Sequence, residues 1–177
     1  MRPGQAVGWA DELRLGLHGQ VRRRWTPRGV KLRLRVQVRH VWRYLALAVE
    51  PSGRLRWAWL ERFRKEPVAD LVGRWQAQGL RALVWDNAPS HTAKIVRGVG
   101  LPLVGLPPYS PELNPAERIF EEIRRAVEGA VYADIDAKVA AVEAVLAPLA
   151  ADPARVRQLA GWGWITHALT QLPAPHS

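Results

Sequence analysis

Leu83-Val84-Trp85-Asp86-Asn87-Ala88-Pro89-Ser90-His91 and, after a connection, Leu106-Pro107-Pro108-Tyr109-Ser110-Pro111-Glu112-Leu113-Asn114-Pro115-Ala116-Glu117-Arg118-Ile119-Phe120 carry the most structural information in the chain. Arg81 to Trp85 reads as a short buried strand that ends at Asp86, with Asn87 and Pro89 supplying turn chemistry. Asn114 to Glu128 reads as an amphipathic helix. Ile119, Phe120, Ile123, Ala126 and Val127 form its apolar stripe, Asn114 suits the N-cap and Pro115 the first helical position. One acid thus closes a strand and a second, Glu117, opens a helix. Two carboxylates on different elements of a basic chain point to a metal site that works on phosphate.

Working outward, Gln5 to Leu17 alternates through Val7, Trp9, Leu13, Leu15 and Leu17, the period of a strand. Asp11 shares that parity, so it needs a special partner or a place at the sheet rim. Trp25 to Gly29 is turn chemistry. Lys31 to Arg39 alternates strictly, predicting a half-exposed strand with a cationic outer face. Tyr44 to Val49 and Arg54 to Leu60, joined through Pro51-Ser52-Gly53, read as a hairpin. Pro67 to Gln78 has helical spacing and stops at Gly79. Ser90 to Val99 is expected to be helical, Leu101 to Leu106 a short strand, and Asp134 to Leu149 a further helix. From Asp152 a short helix, a Trp/Gly stretch around Trp162 and Trp164, and a loose tail are expected. This order predicts an α/β fold: a mixed β-sheet flanked by α-helices.

The 177 residues suit one ordinary domain. A formal charge of +10 makes an acidic partner the natural one, nucleic acid first. The charge is uneven: no Asp or Glu falls between Leu13 and Val49, whereas Arg22, Arg23, Arg24, Arg28, Lys31, Arg33 and Arg35 all do. With Trp25 and Trp42 interleaved, this block reads as a phosphate-backbone contact region; the bland reading is a solvated face. The absence of Cys excludes disulfides and thiolate metal sites. No signal-like segment follows Met1, and no apolar run reaches the roughly 18 residues of a membrane span. A cytoplasmic location follows as an expectation.

Asp11, Asp86 and Glu117 are the candidate catalytic and metal-ligating residues. Three carboxylates from two strands and a helix start can converge on divalent cations, as phosphodiester chemistry requires. Each has a plain alternative. Asp86 could be a turn residue, Glu117 could close a capping box on Asn114, and Glu12 and Glu112 rival Asp11 and Glu117 respectively. His91 could bind phosphate, orient a water or fill a packing position. The remaining histidines, His18, His40, His167 and His176, have no zinc-like spacing.

Val84-Trp85-Asp86-Asn87-Ala88-Pro89-Ser90-His91-Thr92-Ala93 with Leu106 to Glu117 closely resembles the catalytic core of mariner-type DDE transposases, in their bacterial insertion-sequence branch. Ala10-Asp11-Glu12-Leu13-Arg14-Leu15-Gly16-Leu17-His18, with Trp25-Thr26-Pro27-Arg28-Gly29 after it, resembles the first-Asp motif. The resemblance runs from about Val7 to Val127. It implies an RNase H-like fold, with Asp11 on the first strand, Asp86 at the end of the fourth and Glu117 on the helix after the fifth. It further implies metal-dependent DNA strand cleavage and strand transfer, commonly into TA, with two Mg²⁺ or Mn²⁺ ions held by those three acids. Asn87 and His91 would support the site.

By the same resemblance, residues 1–150 would form the catalytic domain and 151–177 a helical extension and tail. Relatives carry an N-terminal helix-turn-helix that reads the transposon ends. This chain begins ten residues before Asp11 without one, so that module is expected from an upstream frame joined by frameshifting, or to have been lost by element decay. Partners would be transposon-end and target DNA, with a homodimer in the paired-end state, in the bacterial nucleoid. The alternatives are a catalytically inactive DNA-binding remnant, and an RNase H-like nuclease of RNA hybrids, which would not share the Pro107-to-Pro115 motif.

Overall fold

The computed structural model describes residues 6–18, 25–31, 33, 37–108, 110–161, 163 and 167. Along the chain come β1 (Val7–Gly16), β2 (Trp42–Val49), β3 (Leu55–Leu60), α1 (Lys65–Ala77), β4 (Ala82–Trp85), α2 (Pro89–Thr92) and α3 (Lys94–Arg97). β5 (Leu103–Gly105), a 3-10 turn (Pro111–Leu113), α4 (Ala116–Val127), α5 (Ile135–Ala151) and α6 (Pro153–Ala160) follow. The described strands form one sheet in the order β3-β2-β1-β4-β5. β2 runs antiparallel to both of its neighbours, β1 and β3, whereas β1, β4 and β5 run parallel. The expected mixed sheet with helices on its faces is what forms.

Strand alternation sends successive side chains of β1 to opposite faces. Leu13 and Leu15 pack with Leu45, Leu47 and Val49 beneath Ile119, Phe120 and Ile123 of α4 and Val142, Leu146 and Val156 of α5 and α6. On the other face, Ala10, Ala46 and Ala48 meet Val68, Leu71, Val72 and Trp75 of α1. The small alanines let α1 approach closely. A third group, Val7, Trp9, Ala82 and Val84, closes the sheet toward Leu106. Phe120 is fully buried; removing such a ring costs about 3–5 kcal/mol.

The β2–β3 hairpin turns where expected. Gly53 has φ +87°, and a Cβ there would overlap the Pro153 carbonyl, so glycine is what lets the turn seat against the start of α6. Arg157 Nη1 completes that junction on the Ser52 carbonyl at 2.6 Å. Beneath the hairpin, Glu50 and Arg56 form a buried ion pair at 2.6 Å, and Arg56 Nη1 also reaches the carbonyl and side chain of Gln78 at 3.3 Å. This links the hairpin to the end of α1.

Several expectations are corrected. Of the Lys31–Arg39 segment, residues 31, 33 and 37–39 are described, and none is in a strand. Alternation supplies a face but not a partner. β1 carries β2 along Trp9–Gly16, and the chain here lies beyond the last β1–β2 pair, Gly16 and Trp42. Gln37 and Arg39 instead bond by their side chains to the carbonyls of Tyr132 and Ala133, at 3.0 and 2.7 Å. The single helix expected over 90–99 is two short ones, broken at Ala93 (φ −59°, ψ 143°). The Thr92 hydroxyl competes there for the Ala88 carbonyl, at 3.3 Å. Ala126 is exposed, on the flank of the α4 stripe. α5 and α6 start on the caps of Asp134 and Asp152, which accept from Ala137 N and Arg155 N. Trp162, Trp164 and most of the tail lie outside the described residues.

Candidate active site

Asp11 lies in the middle of β1, opposite Leu47 of β2. β1 and β4 pair with Trp9 level with Val84. Two residues further along both parallel strands, Asp11 comes abreast of Asp86 on the face shared by Trp9 and Val84. Asp11 is partly buried. Its Oδ1 accepts from the Glu12 amide at 2.8 Å, and its Oδ2 lies 3.3 Å from Asn114 Nδ2. Burial pushes its carboxyl up to about 7. The Glu12 amide bond opposes this, while the negative charges of Glu12, Glu117 and Asp86 add to it.

Asp86 emerges where β4 stops, and its side chain is 54% exposed. Its Oδ1 accepts from Ala88 N at 3.1 Å and pairs with His91 Nδ1. His91 itself is 2% exposed. Its ring stacks on Trp85 at 3.9 Å and meets the edge of Phe63 at 5.5 Å. Its Nε2 lies 3.3 Å from Glu12 Oε2, an ion-pair contact short of hydrogen-bond geometry. Burial alone would lower the imidazole pKa, but Glu12 and Asp86 outweigh it and the net direction is up. His91 thus packs against Trp85 and Phe63 and at the same time joins two acids.

Glu117 stands in the first turn of α4, and its Oε2 accepts from Arg124 Nη1 at 2.9 Å. The capping box does not form. Glu117 Oε2 is taken by Arg124, while Asn114 bridges the helix start and β1. Asn114 Nδ2 donates to the Ala10 carbonyl at 2.8 Å, and its Oδ1 accepts from Ala116 N at 3.1 Å. This buried residue ties the start of α4 to β1 beside Asp11. Glu112 is exposed on the 3-10 turn.

Asp11 therefore senses the charges of both Asp86 and Glu117. Among the described residues, however, no three His, Cys, Asp or Glu side chains close into a cage for one ion. The two facts agree once range is considered, because Coulomb coupling extends well beyond ligand distance. Glu117 is engaged by Arg124 and Asp86 by His91. Magnesium needs only one or two carboxylates, with water and phosphate completing its shell.

Asn87 donates from Nδ2 to the Leu106 carbonyl at 2.8 Å, fastening the end of β4 to the end of β5. A Cβ on Gly105 would overlap Asn87 Oδ1, so that fastening needs glycine opposite. An open cleft of about 390 Å³ runs alongside, lined by Asp86, Asn87, His91, Thr92, Arg97 and Val104. Of the basic block, Arg28, Lys31 and Arg33 are exposed. Arg22, Arg23, Arg24 and Arg35 lie outside the described residues. The roles of Asn114 and Glu12 escaped sequence reasoning. Glu12 gave one usable signal: on a strand, neighbours face opposite ways, so it could not substitute for Asp11 without leaving its own face.

The sequence profile of the DDE superfamily endonucleases matches residues 6–137. The Transposable element Tc1 transposase of Caenorhabditis elegans is 30% identical over 150 residues, covering 73% of this chain and 55% of that protein. The Mos1 mariner paired end complex with Mn superposes with a TM-score of 0.59 at 15% identity, over 88% of this chain and 53% of that one. The catalytic core domain of BIV integrase gives 0.50 at 17% identity, over 84% and 83%. The chain thus spans about half the length of the transposase relatives, and its fold is RNase H-like. Among the described residues no helix is long and apolar enough to cross a membrane. The chain belongs to the DDE superfamily endonuclease family.

Proposed function

We propose that this chain is the catalytic domain of a mariner-type DNA transposase of the bacterial insertion-sequence branch, cutting DNA at transposon ends and joining the freed 3′-hydroxyl to target DNA. The observation that carries the reading is geometric: the β1–β4 register brings Asp11 abreast of Asp86, and Asn114, three residues before Glu117, reaches Asp11 Oδ2 at 3.3 Å. Acids crowded in this way are stabilised by a cation.

In this reading Asp11, Asp86 and Glu117 are the metal ligands. Two divalent cations, Mg²⁺ or Mn²⁺, would activate the attacking oxygen and stabilise the departing one. Asn114 holds Asp11 on the α4 side, and Ala88 N and His91 hold Asp86 Oδ1. Asn87 keeps the β4 and β5 ends together beside the cleft. In the cleavage step water attacks phosphorus and the P–O3′ bond breaks, leaving a 3′-hydroxyl and a 5′-phosphate. In the transfer step that hydroxyl attacks a target phosphorus and displaces another 3′-oxygen, which takes up the proton.

The cationic segment supports DNA as the substrate. β1 and β4 are parallel, so the chain after Gly16 leaves the sheet from the end that carries Asp86. Arg28, Lys31 and Arg33 are therefore tethered to the acidic end of the sheet. A dimer in the paired-end state, a helix-turn-helix supplied by an upstream frame or fusion, and a place in the bacterial nucleoid belong to the same proposal, as does a boundary near residue 150. Its test is a gel assay with transposon-end DNA and Mn²⁺. Wild-type protein is expected to nick the ends and Asp86→Ala to lose nicking. Salt-sensitive binding with no metal-dependent cleavage would instead identify an inactive DNA-binding remnant.

A further inference from the structure

Glu12, the neighbour of Asp11 on β1, is an acid to which the proposed chemistry gives no task. Alternation along β1 turns it away from Asp11, onto the face packed by α1. There its Oε2 is sealed from solvent and lies 3.3 Å from His91 Nε2. The other nitrogen of the same ring holds Asp86 Oδ1. A buried carboxylate oxygen is not left near a buried ring nitrogen without consequence, since each stabilises the other only in this arrangement.

Asp86 has reason to need such support. It sits just past the end of β4 with its side chain 54% exposed, where packing does not fix a rotamer. The bonds from Ala88 N and His91 both fall on Oδ1. Both hold the carboxylate by one oxygen, so that in the proposed reading Oδ2 is the one offered to a cation. His91 can do this only if its own ring is fixed. Stacking on Trp85 and the Phe63 edge sets the plane of the ring. Neither contact fixes rotation within that plane; the charge of the Glu12 carboxylate, 3.3 Å from Nε2, favours the rotation that brings Nε2 toward it.

We propose that Glu12 is a positioning residue for Asp86, acting through the His91 ring to hold the Asp86 carboxylate in the orientation that takes a divalent cation. The chain of contacts crosses the sheet, from β1 through α2 to the end of β4. It explains why adjacent acids on β1 are both present: Asp11 serves one face directly, and Glu12 serves Asp86 from the other. Outer partners of this kind typically change metal affinity by 10–100-fold. The inference rests on the reading of Asp86 as a metal ligand.

The test measures Mn²⁺ affinity of the full chain without DNA, from the free-Mn²⁺ electron paramagnetic resonance signal, with thermal midpoints as the folding control. Glu12→Gln keeps size and polarity, and it is expected to weaken Mn²⁺ binding about tenfold with little change in midpoint. His91→Gln should do the same. The double variant should be no weaker than His91→Gln alone, because Glu12 acts through that ring. Glu12→Leu supplies a second variant if the polar substitution alters folding. Wild-type Mn²⁺ affinity in both Glu12 variants, with binding lost in Asp86→Ala, would overturn the inference and leave the metal site standing. Multiplicative losses in the double variant would also overturn it, by making Glu12 a direct ligand. Unchanged binding in Asp86→Ala would instead remove the metal-site reading itself.

Discussion

Asn114 Nδ2 lies 2.8 Å from the Ala10 carbonyl and 3.3 Å from Asp11 Oδ2, so a residue 103 positions along the chain braces the acid of the first strand. The start of α4 is thereby fixed to the middle of β1, and with it the approach of Glu117 to Asp11. Asn114 is 2% exposed, and its side chain is engaged at both ends.

Asn114→Ala is accordingly expected to destabilise the protein by about 1–3 kcal/mol, the loss of hydrogen bonds to buried groups. Urea denaturation would measure it. Asn114→Asp keeps the acceptor for Ala116 N but loses the donor and sets a charge beside Asp11, so it should be less stable than wild type at pH 8 and recover as the pH is lowered.

Asp11 carries a pH signature of its own. Its folded value, about 7, lies above the ordinary 3.8. Between those values the folded protein keeps a proton that the unfolded chain has released. Stability therefore falls as pH rises through this window, and the whole loss, about 4 kcal/mol at most, is in place above pH 7. Asp11→Asn removes the effect. The thermal midpoint of that variant relative to wild type should climb from pH 4 to pH 7, and saturating Mn²⁺ should narrow the gap. A difference independent of pH would contradict the raised value.

In the proposed reading Arg124 competes with a cation for Glu117. Its Nη1 occupies Glu117 Oε2 at 2.9 Å, with both side chains partly exposed. Arg124→Gln should change stability by less than about 1 kcal/mol, yet tighten Mn²⁺ binding severalfold in the DNA-free protein. Calorimetric titration reads the affinity directly.

The buried Glu50–Arg56 pair is structural and distant from this chemistry. Glu50→Ala leaves Arg56 charged and buried, at an expected loss of about 3–5 kcal/mol. Its urea midpoint should drop sharply while the Mn²⁺ affinity of the folded fraction stays that of wild type.

The parts of this architecture that depend on local pattern were legible in the sequence. A period-two apolar run marked β1, a short apolar run and its return marked β2 and β3, and the turn at Gly53 lies where Pro-Ser-Gly predicted it. The stripe through Ile119, Phe120 and Ile123 gave α4. The acids were legible as motif residues on those elements. What the sequence could not display was partnership across distance. Lys31 to Arg39 alternates well, but no neighbouring edge receives its described residues. Asn114 reads as a local cap, and its Oδ1 does accept from Ala116 N, but nothing local announces that its Nδ2 reaches β1. Glu12 and His91 are 79 positions apart, and only the packing of α2 under β4 joins them.

The central claim is that Asp11, Asp86 and Glu117 grip divalent cations together. Anomalous diffraction from crystals grown with Mn²⁺ and a duplex oligonucleotide addresses it most directly. Manganese peaks within coordination distance of the Asp11 and Asp86 carboxylates, with Glu117 turned from Arg124 toward one of them, are expected. Manganese bound elsewhere, with these three side chains keeping the partners described above, would contradict the account.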